Sequence, residues 1–121
     1  MRLKIIIYDD DRKMRRRMAR VIRGINKGAE IHVFKETQDA LDYVAEHQPE
    51  VAFISTENED GRGYFLIKRM KYLSPRTNVI AVASEYRYLK ELTELRVSGY
   101  VTEGITKETV SEEMENLRYA V

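Results

Sequence analysis

Five short apolar segments separated by helical patterns constrain the fold of this chain more than any other feature. They are rich in β-branched and aromatic residues and short enough to be strands, at 5–8, 31–34, 51–54, 79–82 and 100–101. The first, third and fourth are apolar without alternation, which is typical of strands buried on both faces of a parallel sheet. The pattern therefore predicts a sheet covered by helices on both sides.

The connecting segments carry apolar residues at helical spacing. Met14, Met18 and Ile22 lie on one stripe of a first helix, which we expect Gly28 to end. Thr37 is expected to cap the second helix. Thr106 is expected to cap a fifth helix whose apolar stripe comprises Val110, Met114 and Leu117.

The order β-α repeated five times predicts an α/β fold with right-handed crossovers. At 121 residues and 43% hydrophobic, the chain can form one core, so we expect a single domain over 1–121. Two arrangements are common: the flavodoxin-like (βα)5 three-layer sandwich, with a parallel sheet of order 2-1-3-4-5, and the nucleotide-binding Rossmann order. In both, function is expected at the carboxyl ends of the strands.

Composition excludes several function classes. The chain has no cysteine and two histidines, which excludes disulfides, thiolate metal sites and a three-histidine zinc site. It contains neither G-x-G-x-x-G nor a P-loop. No apolar run approaches the roughly 20 residues that span a membrane, and the first run is too short for a signal peptide. We therefore expect a cytoplasmic protein with no membrane association.

Three successive carboxylates, Asp9, Asp10 and Asp11, follow the first strand. They repel one another unless a cation or hydrogen-bond donors relieve them. Oxygen ligands of this kind select Mg²⁺ or Ca²⁺. The alternative is an acidic turn that caps the first helix, where Asp10 or Asp11 suits the helix dipole.

A hydrophobic first strand that ends in these acids, followed by five β/α units, resembles the receiver domain of two-component response regulators. Residues 49–55 look like the third strand of that family, with Gly63 at its usual glycine, and 98–104 look like its fifth strand and turn. The tail over 105–119 is similar to receivers joined to LytTR-type DNA-binding domains. The resemblance implies the flavodoxin-like fold and a role in signal transduction or transcription regulation.

The resemblance assigns the family's phosphorylation residues one at a time, and two of them are absent. Asp9 and Asp10 match the acidic pair that holds Mg²⁺. Ser55 stands where the family has its phosphoacceptor aspartate. Glu103 stands where the family has the lysine that pairs with the phosphoryl group.

The switch positions of the family are also only partly matched. Ala83 stands where a threonine or serine senses the phosphoryl group, and Ser84 lies one place later. Tyr100 matches the aromatic residue that couples the pocket to the outer face. The resemblance implies that this face, formed by the fourth helix, fifth strand and fifth helix, is the output surface.

These departures predict a degenerate pseudo-receiver that is not an enzyme. An acyl phosphate forms on a carboxylate, whereas Ser55 would give a stable ester. Replacing lysine by Glu103 reverses the sign of an interaction worth about 4 kcal/mol at about 4 Å and an effective dielectric of 20. We expect no required cofactor; weak Mg²⁺ binding by Asp9, Asp10 and Glu103 and neutralisation of the acids by Arg12, Lys13 or Arg62 both stay open.

A Mg²⁺-dependent phosphatase of the haloacid-dehalogenase type is the alternative function. In that family the first aspartate, here Asp9, is the nucleophile and the second, here Asp11, is a general acid. The chemistry also needs a lysine and a further acidic pair after later strands. The chain lacks a convincing pair and is short for the family, so the receiver interpretation is favoured.

Charge is distributed unevenly although the net charge is +1. Residues 101–121 hold five glutamates against two basic residues, a net of −3. The first helix and its following turn hold eight basic residues and no acid: Arg12, Lys13, Arg15, Arg16, Arg17, Arg20, Arg23 and Lys27. This face is a candidate contact surface for nucleic acid, an anionic partner or the acidic last helix of another copy. The alternative is a solvated face whose nearest partners are local acids.

The partners expected from this reading are proteins. We expect a protein partner or a homodimer, with DNA contacted only through an effector domain outside this chain. No small-molecule substrate is expected.

Overall fold

The structure is a computed structural model that describes residues 2–121. Five strands alternate with five helices: β1 (Lys4–Tyr8), α1 (Arg12–Ile25), β2 (Glu30–Phe34), α2 (Thr37–His47), β3 (Val51–Ser55), α3 (Arg62–Leu73), β4 (Asn78–Val82), α4 (Leu89–Glu94), β5 (Gly99–Val101) and α5 (Lys107–Glu115). The strands are all parallel and have the order β2-β1-β3-β4-β5. This confirms the flavodoxin-like arrangement over the Rossmann order. No helix within the described residues is long and apolar enough to cross a membrane.

The sheet separates two hydrophobic cores. Ile5 and Ile7 of β1 pack with the apolar residues of α1 and α5 on one side. Ile6 and Tyr8 pack with those of α2, α3 and α4 on the other. Successive residues of a strand face opposite sides of a sheet, so β1, β3 and β4 need apolar residues at successive positions in their middle. All five residues of β3 and of β4 are buried, which confirms the burial expected from their sequences.

Two helix ends differ from the expectations. Helix α1 ends at Ile25 because the backbone and side-chain amides of Asn26 both donate to Ile22 O, at 3.0 Å each. Gly28 therefore lies beyond the helix, in the following turn with φ +92°. Thr37 is the first residue of α2 rather than its cap, since the cap position belongs to Glu36, which makes no side-chain capping bond.

The start of α5 agrees with the expectation and its end does not. Thr106 caps the helix by accepting from Thr109 N at 3.1 Å, and Thr109 Oγ1 accepts from Thr106 N at 3.0 Å. This reciprocal capping box satisfies two amides that the helix cannot pair internally. Leu117 lies outside the helix, which ends at Glu115, but it still packs against the core on the α1 side.

Gly63 allows α3 to approach the end of β3 closely. A Cβ atom at this position would lie 1.9 Å from Ser55 O. The amide of Gly63 also donates to Asn58 Oδ1 at 2.8 Å. The start of α3 is thus held directly against the strand end that carries Ser55.

Replacement of Gly63 by alanine is expected to lower the free energy of unfolding by about 1–3 kcal/mol, because the added methyl group overlaps a backbone carbonyl. Urea denaturation would measure this loss. Gly24→Ala is the matched control: it lies in α1 with nothing within 4 Å of its Cβ position. The control is expected to gain roughly 0.5–1 kcal/mol from higher helix propensity. An unchanged stability of Gly63→Ala would contradict the close approach.

Candidate functional site

The loop after β1 buries one carboxylate and uses another to begin a helix. Asp9 is only 4% exposed and accepts from Asp11 N at 2.9 Å. Asp11 is the N-cap of α1, and its Oδ1 accepts from Lys13 N at 2.9 Å and Met14 N at 3.3 Å. Desolvation raises the pKa of Asp9 to about 6. The acidic turn therefore caps the first helix, through Asp11.

Arg62, the first residue of α3, supplies a positive charge to this loop. Its Nη1 lies 3.7 Å from Asp10 Oδ2. Its Nε and Nη2 donate to both carboxylate oxygens of Asp60, at 2.6 to 3.0 Å. Hydrogen bonding from Arg62 lowers the pKa of Asp60. Within residues 2–121, neither Arg12 nor Lys13 forms such an ion pair with Asp9, Asp10 or Asp11.

A cavity of about 140 Å³ lies at the carboxyl edge of the sheet, next to Ser55. Its wall is formed by Asp9, Met14, Ser55, Glu57, Val82, Ala83, Ser84, Val101, Thr102, Gly104 and Ile105. Ser55 is buried, and its hydroxyl accepts from Glu57 N at 3.4 Å. No lysine or arginine of the described chain lines this cavity, whereas two carboxylates do. The cavity is therefore unfavourable for an anion.

Glu57 bridges the ends of β3 and β4, a role that we did not predict from the sequence. Its Oε1 accepts from Ser84 N, directly after the buried Ala83. The amide of Ala83 donates to Val101 O at 3.1 Å and so continues the link to β5. The signal that could have found Glu57 is its position two residues after β3, since the ends of parallel strands meet at one edge.

Glu103 does not join the acidic loop. It is exposed and contributes to a surface groove with Tyr86, Tyr100, Glu112 and Glu113, not to the cavity. Over residues 2–121, no three histidine, cysteine, aspartate or glutamate side chains are grouped closely enough to hold a metal ion. The structure therefore does not assemble the candidate metal set of Asp9, Asp10 and Glu103.

The comparison with known families identifies this arrangement. Residues 5–115, most of the chain, match the family described as the response regulator receiver domain. This chain belongs to that family. Together with the parallel sheet of order 2-1-3-4-5, the match makes it a receiver domain of the type found in two-component response regulators.

Individual relatives agree with the family. The chain is 19% identical over 116 residues to the sensory transduction protein LytT of Bacillus subtilis (strain 168), and the match covers 96% of this chain. It spans about half of LytT, 48% of that protein's length. The fold is similar to chemotaxis protein CheY4 of Vibrio cholerae, with a TM-score of 0.79 and 15% identity over 95% of this chain and 98% of that one. A CheY-like receiver domain protein from Methanospirillum hungatei JF-1 gives a TM-score of 0.80 and 15% identity, over 95% and 92% of the two chains.

The phosphatase alternative gains no support from the geometry of this receiver. The structure gives Asp11, the general acid of that alternative, a structural role. Its Oδ1 accepts from two amides at the start of α1, so this carboxylate caps a helix.

The aromatic switch position lies at the outer face of the receiver. Tyr100 is half-buried, and its hydroxyl donates to Leu89 O at 3.2 Å. Its ring contacts that of Tyr86 edge-on, with centroids 5.5 Å apart. Desolvation raises the pKa of Tyr100. The start of α4 is thus tied to β5 through this side chain.

The basic residues of α1 form a solvated face. Six of the seven proposed contact residues are exposed: Arg12, Lys13, Arg16, Arg17, Arg20 and Arg23. Arg15 is half-buried and donates to Asp9 O at 2.9 Å. Within the described chain, none of them has a carboxylate oxygen within 4.0 Å. Local acids therefore do not neutralise this face by direct pairing.

The buried Asp9 makes the stability of the receiver depend on pH. Its folded pKa of about 6 exceeds its ordinary value of 3.8, so the folded protein binds this proton more tightly than the unfolded chain does. The contribution of Asp9 is therefore fully present below about pH 4 and is lost as the pH rises through 6. At neutral pH the ionised carboxylate destabilises the fold.

Asp9→Asn is expected to raise the free energy of unfolding at neutral pH by about 2 kcal/mol, because it removes a desolvated charge and keeps an oxygen that can accept from Asp11 N. This gain in the free energy of unfolding should disappear as the pH falls towards 4, because Asp9 is then protonated in the folded wild-type protein. Urea denaturation across this range measures it, with Glu59→Gln as the control that removes an exposed carboxylate. A loss of stability for Asp9→Asn at neutral pH would contradict the assignment.

Proposed function

We propose that this receiver domain is a phosphorylation-independent protein-interaction module in signal transduction or transcription regulation. The observation that carries the proposal is the buried Ser55 hydroxyl at the end of β3. It stands beside a cavity that is lined by carboxylates and, within residues 2–121, by no lysine or arginine. In the receivers that the sequence resembles, an aspartate at this position accepts the phosphoryl group. A serine there removes the carboxylate on which an acyl phosphate forms.

The electrostatics of the cavity support the same conclusion. A phosphoryl group beside Ser55 would face the carboxylates of Asp9 and Glu57. At about 4 Å and an effective dielectric of 20, each unit of like charge costs about 4 kcal/mol. Glu103 replaces the expected lysine and lies in a different groove, so no cation at that position offsets this repulsion.

The residues present do not fit a divalent cation. Asp10 is engaged by Arg62, whose guanidinium supplies positive charge at the acidic loop. Asp9 is desolvated, and Glu103 lies away from both. Mg²⁺ requires near-octahedral oxygen ligation, which this set does not provide. We infer that the domain works without a required metal.

The domain is proposed to hold one conformation without an external signal. The carboxylate of Glu57 accepts from the Ser84 amide and ties the β4–α4 connection to β3. Tyr100 ties the other end of that connection, at Leu89, to β5. Both contacts use groups of the chain itself, so neither depends on a bound phosphoryl group.

We propose that residues 1–121 act as one domain whose output is a protein surface. DNA would be contacted only through an effector domain outside this chain, a proposal that the similarity to LytT, named a sensory transduction protein, supports. We propose no small-molecule substrate and no catalytic residue.

Incubation with acetyl phosphate and Mg²⁺, followed by intact mass measurement, tests the proposed function. We expect no phosphoryl adduct, because neither the acceptor carboxylate nor a paired cation is present. A receiver that has the acceptor aspartate serves as the positive control. An adduct that is labile to base and to hydroxylamine would overturn the proposal, since an ester on serine resists hydroxylamine.

Glu57→Ala is expected to speed hydrogen exchange of the Ser84 amide by about tenfold, because a charge-assisted hydrogen bond is lost. Mass spectrometry of the 82–90 segment measures the change. Glu57→Gln is the matched control, since its side-chain carbonyl can still accept from this amide. Unchanged exchange in Glu57→Ala would show that Glu57 does not restrain the β4–α4 connection.

A further inference from the structure

We propose that two copies of this chain associate through a two-fold contact between helix α1 of each copy and helix α5 of the other. The proposal deepens the proposed function, on which it rests, by naming the partner of the interaction module. The basic face is defined as Arg16, Arg20, Arg23 and Lys27, and the acidic face as Glu108, Glu112 and Glu115. All seven residues are exposed.

Direct ion pairs among the described residues 2–121 neutralise neither face. Over residues 2–121, no carboxylate oxygen lies within 4.0 Å of a charged nitrogen of the basic face, and no such nitrogen lies within 4.0 Å of the acidic face. The sequence from Arg12 to Ala29 holds no acid that could reduce the charge of the basic face. Each face therefore presents several like charges to the solvent, an arrangement that an opposite surface would relieve.

The two helices lie side by side on the same side of the sheet. Met18 and Ile22 of α1 share a core with Val110 of α5. Arg17 Nε donates to Ile105 O at 3.1 Å, which places the second turn of α1 level with the residues just before α5. Both helices follow strands of one parallel sheet, so they point in the same direction.

The charges of the two faces have the same spacing. Arg16, Arg20 and Arg23 follow i, i+4, i+7 along α1, and Glu108, Glu112 and Glu115 follow i, i+4, i+7 along α5. At 1.5 Å per residue, each row is about 10 Å long. The helices run in the same direction, and Arg17 is level with Ile105. Arg20 and Arg23 therefore lie at about the levels of Glu108 and Glu112, so these charges can face each other across a two-fold contact.

A two-fold axis that is parallel to the helices and lies in the interface, midway between the helix pairs of the two copies, uses this match twice. It places the basic face of each copy against the acidic face of the other, and both contacts form together. Such an interface is isologous and closes as a dimer. A two-fold axis perpendicular to the helices would instead oppose like charges.

The neighbouring helices favour a second copy over a nucleic acid. A phosphate backbone laid along α1 would also approach the acidic row of α5, which lies on the adjacent helix within about one Debye length. No aromatic residue interrupts the basic run from Arg12 to Ala29, so no base-stacking surface accompanies the charges. A second copy places opposite charges against the basic face and the acidic face at the same time.

Charge reversal tests the contact in the full chain by sedimentation equilibrium at low salt. The first variant is Arg20→Glu with Arg23→Glu, and the second is Glu108→Lys with Glu112→Lys. We expect the wild-type chain to dimerise, with a dissociation constant that rises at least about tenfold between 0.05 M and 0.5 M NaCl. Each variant alone should be monomeric, and an equimolar mixture should form the heterodimer, because reversal restores opposite charges in both contacts.

Lys68→Glu with Arg69→Glu is the matched control. These residues are exposed on α3, across the sheet from α1, and their reversal changes the net charge by the same amount. The control should dimerise like the wild-type chain, and circular dichroism should show that all variants are folded. A loss of dimer in this control would indicate an effect of net charge and would overturn the proposal.

Three further results would also overturn the proposal: a monomeric wild-type chain at low salt, no dimer in the mixture of the two reversed variants, or tight binding of a short DNA duplex by a wild-type monomer. These outcomes are separate from the phosphodonor result. A monomer that gives no phosphoryl adduct would remove the dimer and leave the proposed function intact. A dimer that forms a phosphoryl adduct would overturn the proposed function and leave the dimer contact in place.

Discussion

Burial of the three central strands on both faces is the constraint on which the rest of this structure depends. β1, β3 and β4 alternate their side chains between two cores, so helices must cover both sides of the sheet. Parallel connection through those helices then brings the ends of all the strands to one edge. Asp9, Ser55, Ala83 and the turn after β5 therefore lie close together at that edge, although they are far apart in the sequence.

The edge of the sheet is acidic, and the chain balances this charge with its own groups. Asp9 is held by the Asp11 amide, Asp10 is paired with Arg62, and Glu57 accepts from the Ser84 amide. In a receiver that exchanges phosphoryl groups, the resemblance assigns such tasks to a metal ion and a transferred group. Here donors of the chain itself contact these carboxylates.

Much of the site could be predicted by position, but its contacts could not. The acids after β1 and the serine that ends β3 follow from strand boundaries that are visible in the sequence. Glu57 and Arg62 lie in a loop and at a helix start, and their partners are set by the distance between neighbouring strand ends. Glu103 was a candidate ligand at the same edge but lies in another groove, because a loop residue beside a glycine is not held by strand pairing.

The sequence by itself determined the alternation of strands and helices and the uneven charge of the first and last helices. Local periodicity and residue counts show these properties, so neighbours along the chain are enough to recognise them. The periodicity left two sheet orders open, and the resemblance to receiver domains favoured the flavodoxin-like one. Only the tertiary structure decided that Arg62 pairs with Asp10, that Asn26 rather than Gly28 ends α1, and that the basic and acidic helices lie side by side. Those outcomes depend on distances between segments that meet only when the sheet forms.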